Sequence, residues 1–116
     1  MKTDIAGRKE LEFLIDSFYK KVVKDPVIGH FFAHVNWERH LPVMYDFWEN
    51  ALFFTGGYAG NPLQIHQALH KRIPLSADDF KHWQDLFVST VDELYKGEKA
   101  DLAKQRAISI ATVCLL

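Results

Sequence analysis

The sequence predicts an all-α single domain, and three observations carry that expectation. Apolar residues recur at helical spacing through most of the chain. Capping residues, prolines and glycines stand where that periodicity breaks. No run alternates with the period of two that a half-buried strand requires, and no hairpin turn joins such runs. At 116 residues, 48% of them hydrophobic and 14% aromatic, the chain holds one compact core that can close around something bulky.

Each element follows in order. From Arg8 to Lys24 the apolar positions Leu11, Leu14, Ile15, Phe18, Tyr19 and Val22 form one stripe of an amphipathic helix. Asp25-Pro26 ends it, because the residue before a proline is pushed out of the helical region. Val27 to Phe32 reads as a short helical turn. Asn36 suits the N-cap of a helix from Trp37 to about Phe54, with Pro42 removing one backbone hydrogen bond and bending its first turns. Gly56-Gly57-Tyr58-Ala59-Gly60 is a break. Pro62 suits the first turn of a short helix through about Leu69, and Lys71 to Leu75 is a loop. Ser76 caps a helix with Asp78 and Asp79 in its first turn, favourable against the helix dipole. That helix runs to Lys96, where Gly97 stops it. The last helix, from Glu98 to the end, buries Leu102, Ala103, Ala107, Ile110 and Ala111.

Composition excludes several classes of function. The net charge is −1 with both signs interspersed, so no concentrated basic face exists for nucleic acid. The single cysteine, Cys114, allows no internal disulfide and no cysteine-based zinc site; it reads as a small apolar residue on the last helix. No apolar run approaches the ~20 residues of a membrane span. Met1-Lys2-Thr3-Asp4 lacks an apolar signal region, so a cytoplasmic protein with no membrane partner is expected. His30/His34 and His66/His70 each share a helical face but lack the glutamate of a zinc-protease motif. Asp79/His82 gives one carboxylate-x-x-His pattern where a di-iron bundle needs two, plus two further glutamates. No phosphate-cradling glycine pattern is present.

The chemistry-bearing side chains fall in a few short segments. These are Phe18-Tyr19; Trp37-Glu38-Arg39-His40-Leu41-Pro42, leading into Phe47-Trp48; Asn61-Pro62-Leu63-Gln64-Ile65-His66; and Phe80-Lys81-His82-Trp83-Gln84-Asp85-Leu86-Phe87. In this order they resemble the truncated haemoglobins, specifically the third group of that family, from about Gly7 to the C-terminus. The chain departs from the pattern in a longer stretch between His66 and Trp83 than the shortest members have, and in ending without a polar tail.

The resemblance implies a shortened globin, with helices stacked two over two around a b-type haem and the short first helix merged or lost. Its Pro-Leu-x-x-His stretch matches Pro62-Leu63-Gln64-Ile65-His66, which makes His66 the iron ligand; the opposite face of the ring is left open for a gas. From residue type alone, His66 reads first as a solvated histidine on a short surface helix, and the company of the other segments reverses that; His70, one turn later, is a rival placed toward the ring edge. The resemblance gives Tyr19 a ligand-contacting role: a phenol on an apolar face seeks a partner, and a donor there stabilises partial negative charge on bound oxygen. Trp83 matches a tryptophan facing the distal pocket, where an indole offers one N–H and no acceptor. Both Tyr19 and Trp83 also read as core residues. His40 resembles the distal histidine, a donor to ligand, an iron ligand or a gate. Met44 packs over the ring, and Phe47 and Trp48 are core residues and ring contacts. Lys71 and Arg72 are the cations nearest the ring carboxylates.

The expected function is binding of oxygen, nitric oxide or carbon monoxide at ferrous iron, in a pocket suited to redox chemistry or sensing. Alternatives are a nitric oxide dioxygenase or peroxidase-like enzyme served by a separate reductase, and a haem-free helical interaction protein.

Overall fold

The computed structural model describes residues 2–53 and 76–114, with side chains described through position 109. Among these residues it contains four α-helices and one 3₁₀ turn, with no strand. Helix α1 spans Arg8–Lys24, the 3₁₀ turn Gly29–Phe32, α2 Trp37–Phe53, α3 Ala77–Leu94 and α4 Glu98–Cys114. The expected short helix around Pro62 to Leu69 lies outside the described residues. No helix precedes Arg8 among those described.

The stripe on α1 buries Leu11, Leu14, Ile15, Phe18, Tyr19 and Val22, all the positions expected from its periodicity. From α2 come Met44, Phe47, Trp48 and Leu52, and from α3 Phe80, Trp83, Phe87, Thr90 and Val91. Thr90, the one buried polar residue among those described, donates to the Leu86 carbonyl at 2.7 Å. Helix α1 packs on α2 and α3 on α4, and the two layers meet where α1 touches α3 and α2 touches α4. That is a two-over-two stack, held by aromatic rings: Trp48 of α2 stacks on Phe87 of α3 at 4.8 Å, and Phe18 of α1 meets Phe87 edge-on at 5.0 Å.

Local chemistry sets the boundaries. Ser76 and Asp79 form a reciprocal capping box at the start of α3. At α2 the Asn36 carbonyl accepts the His40 N–H at 2.9 Å and the Arg39 N–H at 3.2 Å, while its side chain makes no capping bond. Helix α3 stops at Leu94, two residues before the expected Lys96. Tyr95 is extended because it is drawn elsewhere: its hydroxyl donates to the Glu10 carbonyl at 2.9 Å, and the next N–H, on Lys96, donates to the Thr3 carbonyl at 3.0 Å. Gly97 belongs to the start of α4 rather than the end of α3. It has φ 149, and a β-carbon there would lie 2.5 Å from Asp4 Cγ. The Asp4 carboxylate accepts the N–H groups of Lys99 and Ala100 at 2.9 and 2.8 Å. The N-terminal arm thus caps α4 from across the chain. On α4, Ala100, Ala103 and Ala107 are buried and Leu102 is half-buried; the Ile110 and Ala111 side chains lie outside the described set.

Candidate functional site

Tyr19 stands four residues after Ile15 and three before Val22, on the same face of α1. That spacing carries its hydroxyl into an apolar interior, where the residue is 6% exposed. Burial pushes its phenol above the ordinary 10.0, so it stays protonated and able to donate. No described side chain or backbone group takes that hydrogen bond.

His40 lies in the first turns of α2, three residues after Trp37 and therefore on the same helical face. Its ring meets Tyr19 edge-on at 5.7 Å and Trp37 at 5.6 Å. Its Nε2 is buried and has no hydrogen-bond partner among the described residues. Burial pushes its pKa below the ordinary 6.5. At neutral pH the imidazole is therefore uncharged, with one N–H to donate and one nitrogen to accept. Trp37 packs on Tyr19 at 5.0 Å and stacks on Phe32 at 6.4 Å, while Phe32 lies 6.3 Å from Tyr19. Tyr19, Phe32, Trp37 and His40 thus form an aromatic cage in which His40 Nε2 is buried with no partner among the described residues.

The cage depends on a close approach after α1. Gly29 donates to the Asp25 carbonyl at 2.9 Å. A β-carbon on Gly29 would sit 2.9 Å from the Val23 carbonyl oxygen and 3.0 Å from that of Val22. Only glycine lets the 3₁₀ turn lie against the end of α1 and bring Phe32 onto Tyr19. Asp25 closes the same corner. Its carboxylate accepts the Val27 and Ile28 N–H groups at 2.8 and 3.1 Å, and His82 Nε2 of α3 lies 2.8 Å from its second oxygen. Burial alone would raise the Asp25 pKa, but these bonds from His82, Val27 and Ile28 hold it below the ordinary 3.8.

Trp83, next to His82, is 8% exposed and packs on Phe18 edge-on at 5.6 Å and on Phe87 at 6.0 Å. Its indole N–H makes no hydrogen bond with the described residues. Phe18 touches both Trp83 and Tyr19, so the two candidate donors share one ring as a neighbour. Met44, Phe47 and Trp48 are 2%, 6% and 2% exposed, on the inward face of α2. His66, His70, Lys71 and Arg72 lie outside the described residues. Sequence reasoning passed over Trp37 and Phe32 as parts of the site. The signal for Trp37 was available, since it lies one helical turn from His40; nothing local marks Phe32, which reaches the cage through the Gly29 contact. Among the described residues no group of histidine, cysteine and carboxylate side chains could hold a bare metal ion, and no helix is long and apolar enough to cross a membrane.

No family model matches the chain. It is 30% identical over 118 aligned residues to the group 3 truncated hemoglobin ctb of Campylobacter jejuni, a match covering 97% of this chain and 91% of that protein. The crystal structure of the group III truncated hemoglobin from Campylobacter jejuni superposes with a TM-score of 0.81 at 29% identity, covering 99% of this chain and 93% of that one. Sequence and fold agree over nearly the whole length, and the chain belongs to the group 3 truncated hemoglobin family.

Proposed function

We propose that this chain carries a b-type haem and binds a diatomic gas, oxygen, nitric oxide or carbon monoxide, with His66 as the residue that would hold the iron and Tyr19, His40 and Trp83 as those that would contact the gas. The observation that carries this reading is the aromatic cage itself, in which His40 Nε2 is buried with no partner among the described residues and the His40 ring meets Tyr19 edge-on. A buried polar group without a partner costs roughly 1–3 kcal/mol, and such groups in a native fold call for a reason. A small polarisable ligand held between Tyr19 and His40 satisfies it.

When bound, the haem supplies an iron with one open position for the gas. The protein's own side chains do the rest. Tyr19 stays protonated under burial and offers its O–H to the ligand. His40 stays neutral under burial and offers either a donor or an acceptor. Trp83 offers a second N–H from α3. Met44, Phe47 and Trp48 would give the haem an apolar wall that excludes water, and the resemblance makes His70 and Arg72 further candidates for holding it. Donors in a dry pocket act without the screening that water would impose, so they slow oxygen release. Slow release favours redox chemistry or sensing over transport, with a separate electron-donating reductase as the partner for turnover.

The experiment is oxygen dissociation from the haem-loaded Tyr19→Phe variant. The substitution removes the hydroxyl and keeps the ring, so packing changes little. A charge-assisted hydrogen bond contributes roughly 1.5–3 kcal/mol, and ~1.4 kcal/mol is tenfold. Dissociation faster by about one to two orders of magnitude is expected. An unchanged rate would remove Tyr19 from the ligand site.

A further inference from the structure

The surface between α1 and α2 carries a groove of about 340 Å³. Its sides are Lys20 and Val23 of α1 and Leu41 and Tyr45 of α2, and Tyr19 and Trp37 form the part of its lining that the cage shares. Trp37 is half-buried: one part of its ring packs on Tyr19, His40 and Phe32, and another faces the groove. We infer that Trp37 is a positioning residue of the ligand site, whose indole seals His40 off from this groove and holds the Tyr19 and His40 rings in one arrangement. The inference rests on the ligand site proposed above.

Sterics come first. Tyr19 and His40 meet edge-on without a hydrogen bond between them, so their mutual geometry comes from what packs around them. Among the rings that touch both, Trp37 lies 5.0 Å from one and 5.6 Å from the other. Its own place is fixed from behind by Phe32, which the Gly29 turn seats at 2% exposure. Removing the indole would leave the cage open to the groove on that side. Solvation follows from sterics. Water arriving from the groove would hydrogen-bond His40 Nε2, which would lose both its dryness and its aim. Packing alone would not produce that outcome, since a purely structural residue changes stability and leaves the polarity around the ligand as it was.

The test uses the haem-loaded protein in its ferrous carbon monoxide form, comparing wild type, Trp37→Phe and Trp37→Ala. Two quantities are read: the infrared stretch of the carbon monoxide, which reports donors near the ligand, and the titration midpoint of the His40 ring protons by NMR. Trp37→Ala is expected to broaden or split the stretch and to move the His40 midpoint up toward the ordinary 6.5, and Trp37→Phe to restore most of both. Should Trp37→Ala not fold, Trp37→Leu keeps apolar volume without the ring and carries the same comparison. A variant with lower stability but an unmoved stretch and midpoint would overturn the inference. A chain that takes up no haem shows no carbon monoxide band; that outcome sinks the ligand site, while the His40 midpoint in the purified chain still decides whether Trp37 is a wall.

Discussion

Trp83 and Tyr19 stand on different helices with Phe18 between them, and the roles of donor and core residue make different demands on Trp83. As a donor it addresses the same small ligand as Tyr19. Trp83→Phe should then speed oxygen release, and the double variant with Tyr19→Phe should depart from additivity by about 0.5–3 kcal/mol, as groups sharing one partner do. As packing against Phe18 and Phe87 alone, Trp83→Phe would lower unfolding stability, as large-to-small core changes do, and leave release unaltered. We expect coupling; additive release rates together with lost stability would take Trp83 out of the site. At this scale the stripe on α1 was legible because periodicity reports which face is buried. Whether a buried Tyr19 or His40 lacks a partner was not, because that depends on what other helices bring within reach.

Helix boundaries show the same division. The start of α3 could be read from Ser76 and Asp79, since a capping box is local chemistry. Its end could not, since Tyr95 leaves the helix to reach Glu10, 85 residues away. Asp4 is a further long-range cap, holding the first N–H groups of α4 from the opposite end of the chain. Replacing such a cap with alanine costs about 0.5–2 kcal/mol, which sets the expected loss for Asp4→Ala in urea unfolding at neutral pH. The pH dependence has a definite sign. Burial alone would raise the Asp4 pKa, but the N–H groups of Lys99, Ala100 and Ile5 hold it below the ordinary 3.8. The carboxylate therefore contributes stability that is fully present above that value and is lost as pH falls through the lower folded value. Wild type and Asp4→Ala should converge in stability as pH drops below the ordinary carboxylate range. A gap that persists undiminished in acid would mean that the charged cap is not its source.

At the largest scale, the two-over-two stack follows from the four described helices, whose apolar faces can all be buried only in paired layers. Its family resemblance was legible in the order of a few short segments, and the likeness to the Campylobacter jejuni protein bears it out over 97% of the chain. The cage could be anticipated in its polar members, Tyr19 and His40, and not in Phe32, which enters through a glycine contact across a turn. The account's central claim is that this stack holds haem by His66 and leaves the Tyr19–His40 side free for a gas. Titrating the purified chain and its His66→Ala and His70→Ala variants with haem, and following the Soret absorbance, tests that claim most directly. The account predicts one haem retained per chain in wild type and in His70→Ala, and no stable retention in His66→Ala. Absence of a Soret band in wild type would contradict the claim outright, and retention lost in His70→Ala instead would move the ligand one helical turn along.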